Sequence, residues 1–496
     1  MSASPAASAN RPPRQPAPSK AGGTDSSLSQ IEASCRTPVL FFFTCGAGWL
    51  LWSLAFAFVA SLKLHFPEFL ADCPWLTYGR VRPAFLNMFL YGFASQVAFG
   101  VAIWLTCRLG RAPLVSPLGV ICAGLFWNSG VKLGVYGILR GDSTGFLWLE
   151  MPRYAFLILF CSYALIGVLT LITFHQRRER ELYVSLWYVV AAIFWFPWIY
   201  SAGNLMLVFW PVRGVVQVVV NTWFTSSLRE LWLGSIGIAA IFYFLPKILE
   251  RPLYSRYLAL YSFWLVALFG SWGGIFIGAP LPKWIPAVST MGSVLMVVPV
   301  IAVATNCYFT FGGQFQRLGK NPVLQFIVFG LVSYVLAGLL GALNALPPVS
   351  AILRFTCFQD ALVILSLFGF FGMVMFGSIY YIVPHLTQQE WPSASLMKLH
   401  LWASASGILL FVASLIAGGI QQGLALNDPN LLFLDAMKTT LPYLAGCTLG
   451  VILLAVANVG FLCNLLWALT RYCRTVCPCA EQFASNRKPA ITGVTR

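Results

Sequence analysis

Histidine is the residue type best suited to bind a transition metal or a haem iron, because the neutral imidazole offers one nitrogen ligand. The 496 residues of this chain contain only 4 histidines. They are His65, His175, His385 and His400, and long stretches of sequence separate the first three. We interpret each of the four as a surface or interfacial residue rather than as a ligand. The histidines by themselves therefore predict no metal site.

The cysteines offer a second set of soft ligands, but their spacing predicts no cofactor. The chain has 13 cysteines, most of them in apolar segments, where a thiol behaves as a small hydrophobic group. They predict no disulfide framework. Cys473, Cys477 and Cys479 follow the last apolar segment with the spacing C-x3-C-x-C, which fits neither a zinc ribbon nor a c-type haem motif. We expect unmodified thiols here, with acylation as the alternative.

A few charged residues lie inside apolar segments, where a charge is costly and therefore suggests a function. They are Lys132, Arg229, Glu230 and Asp360. Arg229 and Glu230 lie so close to the start of their segment that they can reach the membrane interface. Asp360 is the better candidate for a polar pathway, and a paired structural role near a helix end is the alternative.

The elements that carry these residues are predicted membrane helices. Hydrophobic residues make up 59% of the chain, charged residues 9%, and the mean hydropathy is +0.78, which excludes a soluble protein. The apolar runs are about 20 residues long, which also excludes a β-barrel. We predict an all-α polytopic membrane protein with about 12 transmembrane helices, at 39–62, 84–107, 113–137, 153–175, 183–207, 228–248, 257–278, 284–308, 322–346, 355–384, 398–420 and 440–470.

The placement of Lys and Arg predicts the orientation of these helices. An even number of spans puts both termini on one side, and the side richer in Lys and Arg is cytoplasmic. We predict a disordered cytoplasmic tail at 1–35, a transmembrane domain at 36–472 and a cytoplasmic tail at 473–496. Residues 1–35 lack the apolar core of a signal peptide. The net charge of +16 then belongs to a membrane-facing surface, so the expected partner is the lipid bilayer and not nucleic acid.

Three long motifs stand at or near predicted helix ends: WLTYGRVRP at 75–83, YFLPKILERPLYS at 243–255, and YYIVP at 380–384 with KLHLW at 398–402. In this order they resemble three segments of the catalytic subunit, subunit I, of the cbb3-type cytochrome c oxidases in the haem-copper oxidase family. These segments are the entry to helix two, the loop between helices six and seven, and the link between helices ten and eleven. The resemblance implies its twelve-helix bundle, with both termini cytoplasmic.

The resemblance also implies three metal centres. In that family a low-spin haem b takes one histidine from helix two and one from helix ten. A high-spin haem takes another histidine from helix ten, and copper takes one from helix six and a pair after helix seven. Counted from the motifs, these positions fall on Phe85, Ser226, Leu362 and Ile364, with the pair within 273–278. None of these residues offers an imidazole.

We therefore predict that the chain has no catalytic residues and binds neither haem nor copper. Phe85 and Leu362 are expected to face each other across the former low-spin haem site and to fill its volume, because protein interiors do not tolerate large voids. Other residue types can bind haem iron, and the chain offers four of them near these positions, namely Tyr91, Cys357, Met373 and Met375. Replacement of every ligand of three centres is a less economical hypothesis than the loss of all three.

The resulting functional hypothesis is a catalytically silent homologue of subunit I in a bacterial inner membrane. It would act as a scaffold or partner subunit of a respiratory complex, beside membrane-anchored cytochrome c proteins or a ligand-bearing paralogue. The first alternative is an active haem-containing oxidase or nitric-oxide-reductase-type subunit with unusual ligands. The second is a transporter that uses the emptied bundle as a pathway.

Overall fold

The computed structural model describes residues 21–275, 278 and 280–476, a part of the chain that is helical and contains no strand. Within this part, twelve helices form the bundle: α1 (Ala21–Lys63), α2 (Tyr78–Gly110), α3 (Pro117–Arg140), α4 (Arg153–His175), α5 (Val184–Phe209), α6 (Val216–Leu249), α7 (Arg256–Phe269), α8 (Trp284–Phe311), α9 (Pro322–Ala345), α10 (Phe358–Thr387), α11 (Ala394–Leu426) and α12 (Phe433–Val476). Short helices at Pro74–Leu76, Phe315–Arg317 and Pro347–Leu353 lie between them.

The predicted number of membrane helices is close to the observed one. Among the described residues, 11 helices are long and apolar enough to cross a membrane, and the twelfth, α7, has 14 residues. The sequence predicts this helix over 257–278, but it ends at Phe269. Gly270, Gly273 and Gly274 follow, and glycine disfavours a helix. Gly274 has a φ of +104°, which turns the chain away from the helical path.

The predicted N-terminal tail is wrong over residues 21–35, which form the start of α1. Ile31 and Cys35 are buried there, one helical turn apart on the same face. The Glu32 carboxylate lies between them in sequence and accepts a hydrogen bond of 2.5 Å from the Arg108 guanidinium at the end of α2. Residues 1–20 and the C-terminal residues from 477 onward lie outside the described part, and α12 extends four residues past the predicted boundary at 472.

Helices α2, α6 and α10 form the centre of the bundle. The most apolar 18-residue stretch of α2 is completely buried, and about nine tenths of the corresponding stretches of α6 and α10 are buried. Each of the three contains a π-helical stretch, at Met88–Ala94, Leu228–Leu233 and Leu365–Gly372. Such wide turns are frequent at functional sites. These are also the three helices on which the resemblance places metal ligands.

The loop at 141–152 between α3 and α4, here called the α3–α4 loop, lies over one end of α2. The Tyr91 hydroxyl in α2 donates to the Trp148 carbonyl oxygen at 2.7 Å. Trp148 has a φ of +65°, a conformation that is unusual for a bulky residue. Within the loop, the Thr144 N–H donates to the Glu150 carbonyl oxygen at 3.2 Å. These bonds hold the Trp148 and Glu150 side chains in buried positions.

Candidate functional site

Two cavities lie on opposite sides of α10. The first, here called the polar cavity, measures about 330 Å³ and lies between α6, α8, α9 and α10, beside the α3–α4 loop. The second, here called the apolar cavity, measures about 460 Å³ and lies between α1, α2, α10, α11 and α12. Val363 of α10 lines both cavities. Volumes of this size are typical of ligand-binding sites.

The four positions that the resemblance assigns to helical metal ligands divide between these cavities. Phe85 and Ile364 line the apolar cavity, whereas Ser226 and Leu362 line the polar cavity. The expectation that Phe85 and Leu362 face each other is therefore wrong. Leu362 and Ile364 are two residues apart on one helix, and such residues point about 200° apart around the axis. Ile364 is the α10 residue that shares a cavity with Phe85.

Side chains do not fill the space next to Phe85, which is a second correction. Phe85 is 8% exposed, and the centroid of its ring lies 6.4 Å from that of Phe368. Phe89, one turn along α2, packs against the same Phe368 ring at 4.0 Å and is completely buried. Phe85 thus occupies only part of the volume, and the apolar cavity remains beside it.

One end of the apolar cavity is polar. The Arg82 guanidinium donates to the Asp360 carboxylate at 2.7 Å, and the two side chains are 36% and 49% exposed. Asp360 is thus half of an ion pair, as the structural alternative predicted. The Gln422 amide lies nearby, where its oxygen accepts from the Cys357 N–H at 2.9 Å. Its nitrogen has only the Met437 sulfur as an acceptor, at 3.5 Å.

The polar cavity contains the second predicted charged pair. The Arg229 guanidinium donates to the Glu230 carboxylate at 2.8 Å, and the side chains are 30% and 26% exposed. Ser226 donates to the Gly270 carbonyl oxygen at 3.2 Å. Arg354, which also lines this cavity, donates to the Gly274 carbonyl oxygen. Charged and hydroxyl groups line this space, whereas hydrocarbon lines most of the other.

The segment 273–278, predicted to replace the paired copper ligands, is described only in part. Gly273 and Gly274 line the polar cavity on the side of Ser226. Phe276 and Ile277 lie outside the described residues. Glycine has no side chain to bind a metal, so this part of the segment supplies no ligand.

Glu150 is a buried acid that sequence reasoning missed. Its side chain lies in the α3–α4 loop, 6% of the residue is exposed, and its carboxylate accepts from the Asn87 amide nitrogen at 2.7 Å. Burial raises the pKa of Glu150 from 4.5 to about 7, and the Asn87 hydrogen bond opposes the shift. The Asn87 amide oxygen is buried without a hydrogen-bond partner. A protonated carboxyl group could supply the missing donor, whereas a carboxylate could not.

The histidines are dispersed, as the sequence indicates, but one is wrongly predicted to be superficial. His400 is completely buried, and its ring nitrogen Nδ1 lies 3.0 Å from the Tyr380 hydroxyl. His65 lies 2.8 Å from the Thr448 hydroxyl, and His385 lies 2.8 Å from the Tyr381 carbonyl oxygen. His175 is exposed at the end of α4. His400 is therefore a core residue that is hydrogen-bonded through Nδ1, whereas its other ring nitrogen, Nε2, is buried without a hydrogen-bond partner among the described residues.

The remaining candidate residues lie apart from the cavities. Lys132 is exposed on the outer face of α3, away from the bundle interior. Cys473 is an exposed thiol at the end of α12, and Cys477 and Cys479 lie outside the described residues. The 11 cysteines within the described part are all free thiols.

The donor set of the two cavities does not fit the cofactors of the family that the motifs resemble. Phe85, Leu362 and Ile364 carry no donor atom, and the described residues contain no cluster of three or more His, Cys, Asp or Glu that could hold a metal ion. Met373 and Met375 are buried, and neither lines a cavity. The Tyr91 hydroxyl donates to the Trp148 carbonyl oxygen, and Tyr91 lines neither cavity. Of the four replacement donors, Cys357 is therefore the one that lines either of the two cavities.

Comparisons with known proteins agree with the motifs. The family described as "Cytochrome C and Quinol oxidase polypeptide I" matches residues 37–453. A cytochrome c oxidase subunit 1 homolog of Azorhizobium caulinodans is 24% identical over 430 residues, which cover 83% of this chain and 78% of that protein. The cbb3-type cytochrome c oxidase subunit CcoN1 of Stutzerimonas stutzeri is 25% identical over 403 residues, 78% of this chain and 84% of that protein.

A solved structure has the same fold. It is the cryo-EM structure of a haem-copper terminal oxidase dimer, with a TM-score of 0.69, 14% sequence identity, and coverage of 88% of this chain and 84% of that chain. The predicted fold class, a membrane bundle like that of haem-copper oxidase subunit I, is thereby confirmed. The orientation of the termini stays a prediction.

Proposed function

Because this chain belongs to the cytochrome c and quinol oxidase polypeptide I family and is a homologue of cbb3-type subunits, we propose that it is a catalytically silent subunit I. It serves as a scaffold or partner subunit of a respiratory membrane complex. The observation that carries this proposal is the chemistry of the cavity walls. Phe85 and Ile364 line one cavity and Ser226 and Leu362 the other, and none of these side chains can replace imidazole at a haem or copper site.

The motif at 75–83 is explained by contacts within the chain. The Arg80 guanidinium donates to the carbonyl oxygens of Pro74 at 2.8 Å and Leu139 at 3.1 Å. Arg82 binds Asp360 of α10. These bonds join the start of α2 to α3 and α10, so they stabilise the bundle whether or not a haem is present. Alanine at Arg80 is thus expected to lower the stability of the chain itself.

The motif at 243–255 is likewise bound within the chain. The Ser255 N–H donates to the Asn306 amide oxygen at 3.0 Å, and the Asn306 amide nitrogen returns a bond to the Ser255 carbonyl oxygen at 2.8 Å. The Tyr254 N–H donates to the Thr310 hydroxyl at 3.2 Å. These contacts fix the loop between α6 and α7 against α8. Both motifs therefore support a retained scaffold, and other surfaces are left for partner subunits.

The test is to isolate the native complex and to measure the cofactors of this chain. We expect no stoichiometric haem in a pyridine haemochrome assay and no copper by metal analysis, with a cytochrome c oxidase preparation as the positive control. Deletion of the chain should lower the amount of a co-purifying respiratory complex. Reduction of oxygen or nitric oxide by the purified chain with an added electron donor would overturn the proposal.

One observation favours a second candidate function, a haem protein with unusual ligands. Cys357 lines the apolar cavity, and thiolate binds haem iron in some proteins. However, burial raises the pKa of the Cys357 thiol, with a further contribution from Asp360, and this disfavours the thiolate that iron requires. The reduced-minus-oxidised visible spectrum separates the two candidates, because a thiolate-bound haem has strong absorption and a silent subunit has none.

A further inference from the structure

We propose that the apolar cavity binds a single-chain anionic lipid, with its hydrocarbon chain between the helices and its head group at Arg82. This inference rests on the proposed function, because a haem in the same space would exclude the lipid. The two statements can fail separately. A chain without haem can also lack a lipid site.

The cavity is polar at one end because five helices have an end there. Helices α1 and α11 end at this face of the bundle, and α2, α10 and α12 begin there. The residues that line the cavity near these ends carry polar groups: Tyr78, Arg82, Asp360, Gln422 and Lys438. Polar residues at helix ends lie near the membrane interface, where water and lipid head groups are present.

The deeper lining is hydrocarbon. One or more turns farther into the bundle, the residues that line the cavity include Ala57, Phe85, Ile364, Leu415 and Val451. Along α12 the lining extends from Leu441 to Val451, which is about 15 Å at 1.5 Å per residue. The cavity is therefore an elongated space with a polar rim and an apolar depth. An amphiphile with one chain matches this distribution of polarity.

The Arg82 guanidinium is the group at the rim that favours an anionic head group. Both basic residues at the rim are paired, Arg82 with Asp360 at 2.7 Å and Lys438 with Asp435 at 2.9 Å, so these four residues have no net charge. Arg82 makes one hydrogen bond, to Asp360, and its guanidinium has further N–H groups in a planar arrangement that suits a carboxylate or a phosphate. Gln422 adds an amide nitrogen whose present acceptor is the Met437 sulfur, a weak acceptor.

The apolar depth of the cavity explains why the hydrocarbon chain of a lipid would enter. Protein interiors are close-packed, and a large apolar void forfeits the dispersion contacts of its lining. Water gains little in such a space, because it finds few polar partners. The bilayer around the protein supplies hydrocarbon chains at high local concentration. A chain from a lipid therefore restores contacts that neither Phe85 nor water provides.

The experiment measures binding of oleate to the purified full-length chain in nanodiscs, with oleyl alcohol as a probe that has the same chain and no charge. A single-chain lysophosphatidylglycerol forms a third arm, which distinguishes a phosphate head from a carboxylate. We expect saturable binding of at least one anionic probe, at about one per chain. The double substitution Arg82→Gln and Asp360→Asn keeps the net charge of this pair at zero. It should weaken binding of the anionic probe at least tenfold and change binding of oleyl alcohol little.

Two substitutions on α10 provide a matched pair. Ile364→Trp places a bulky ring in the apolar cavity and should weaken the binding of both oleate and oleyl alcohol at least tenfold. Leu362→Trp, two residues away, enlarges a side chain of the polar cavity and should leave both binding affinities unchanged. Ala57→Phe fills the apolar cavity from α1 and should act as Ile364→Trp does, which guards against a folding defect in one variant.

Three results would overturn the inference. The first is the absence of saturable binding by every probe to the unmodified chain. The second is an equal effect of Ile364→Trp and Leu362→Trp on oleate while both variants keep the unmodified thermal midpoint. The third is an unchanged affinity for the anionic probe in the Arg82→Gln/Asp360→Asn variant, which would show that the head group does not bind at Arg82. None of these results bears on the haem content, which the haemochrome assay measures separately.

Discussion

The Glu150 carboxyl group offers a direct test of the fold, because its environment depends on how the α3–α4 loop packs on α2. Its carboxylate is buried, accepts a hydrogen bond from Asn87, and has its pKa raised by burial to about 7. We expect the Glu150→Gln substitution to stabilise the protein at alkaline pH. Glutamine has nearly the same shape as a protonated glutamic acid, can accept from Asn87, and does not ionise.

The size of the effect follows from the two pKa values. The folded pKa of about 7 lies roughly 2.5 units above the ordinary value of 4.5, and each unit corresponds to about 1.4 kcal/mol. The folded state therefore binds the proton more tightly than the unfolded state. This stabilisation is fully present below about pH 4.5, decreases as the pH rises, and is lost above about pH 7, a total of about 3 kcal/mol.

The assay is thermal unfolding of the two proteins in the same detergent between pH 5 and pH 9. Near pH 5 the unmodified protein and the Glu150→Gln variant should have similar midpoints. Near pH 9 the variant should be more stable by about 3 kcal/mol. Glu68→Gln, at an exposed position of the loop between α1 and α2, is the control and should follow the unmodified protein. Parallel pH profiles of the unmodified protein and Glu150→Gln would refute the reasoning.

Three further predictions follow from the packing and the charges. Phe89→Ala should lower the free energy of unfolding by about 3–5 kcal/mol. Phe85→Ala should lower it by roughly half as much, because Phe85 already borders a cavity. Equal losses of the two variants in chemical denaturation would contradict this prediction. Glu32→Gln should cost about 3 kcal/mol by leaving the Arg108 charge without its carboxylate, and adding Arg108→Gln should recover most of the loss in the same measurement. Reporter fusions should place both termini in the cytoplasm, and one external terminus would exclude the proposed topology.

The sequence predicts the bundle well because long apolar runs have few other structures available in a membrane. Its errors have local causes. Helix α7 is short because glycines follow Phe269. The segment 21–35 looks polar, but Ile31 and Cys35 lie four residues apart and bury one face of a helix. That spacing was present in the sequence and is the signal that would have extended α1.

The site was predictable in position more than in shape. Motif counting placed Phe85, Ser226, Leu362 and Ile364 on the central helices, and the structure finds all four on cavity walls. Helical periodicity alone would have separated Leu362 from Ile364. The volumes could not be predicted, because they depend on how five or more helices pack together. The burial of Glu150 depends in the same way on a loop that folds over a distant helix.

The position of both cavities beside π-helical stretches suggests that the backbone, rather than the side chains at the ligand positions, determines these spaces. The π-helical stretches of α2, α6 and α10 begin one to three residues after Phe85, Ser226 and Ile364, and such turns alter the helix path independently of which residue precedes them. A phenylalanine or an isoleucine is too small to fill a space between five helices that remain in place. The contents of the two spaces must therefore differ, since ion pairs and hydroxyl groups favour water in one and hydrocarbon favours a lipid chain in the other.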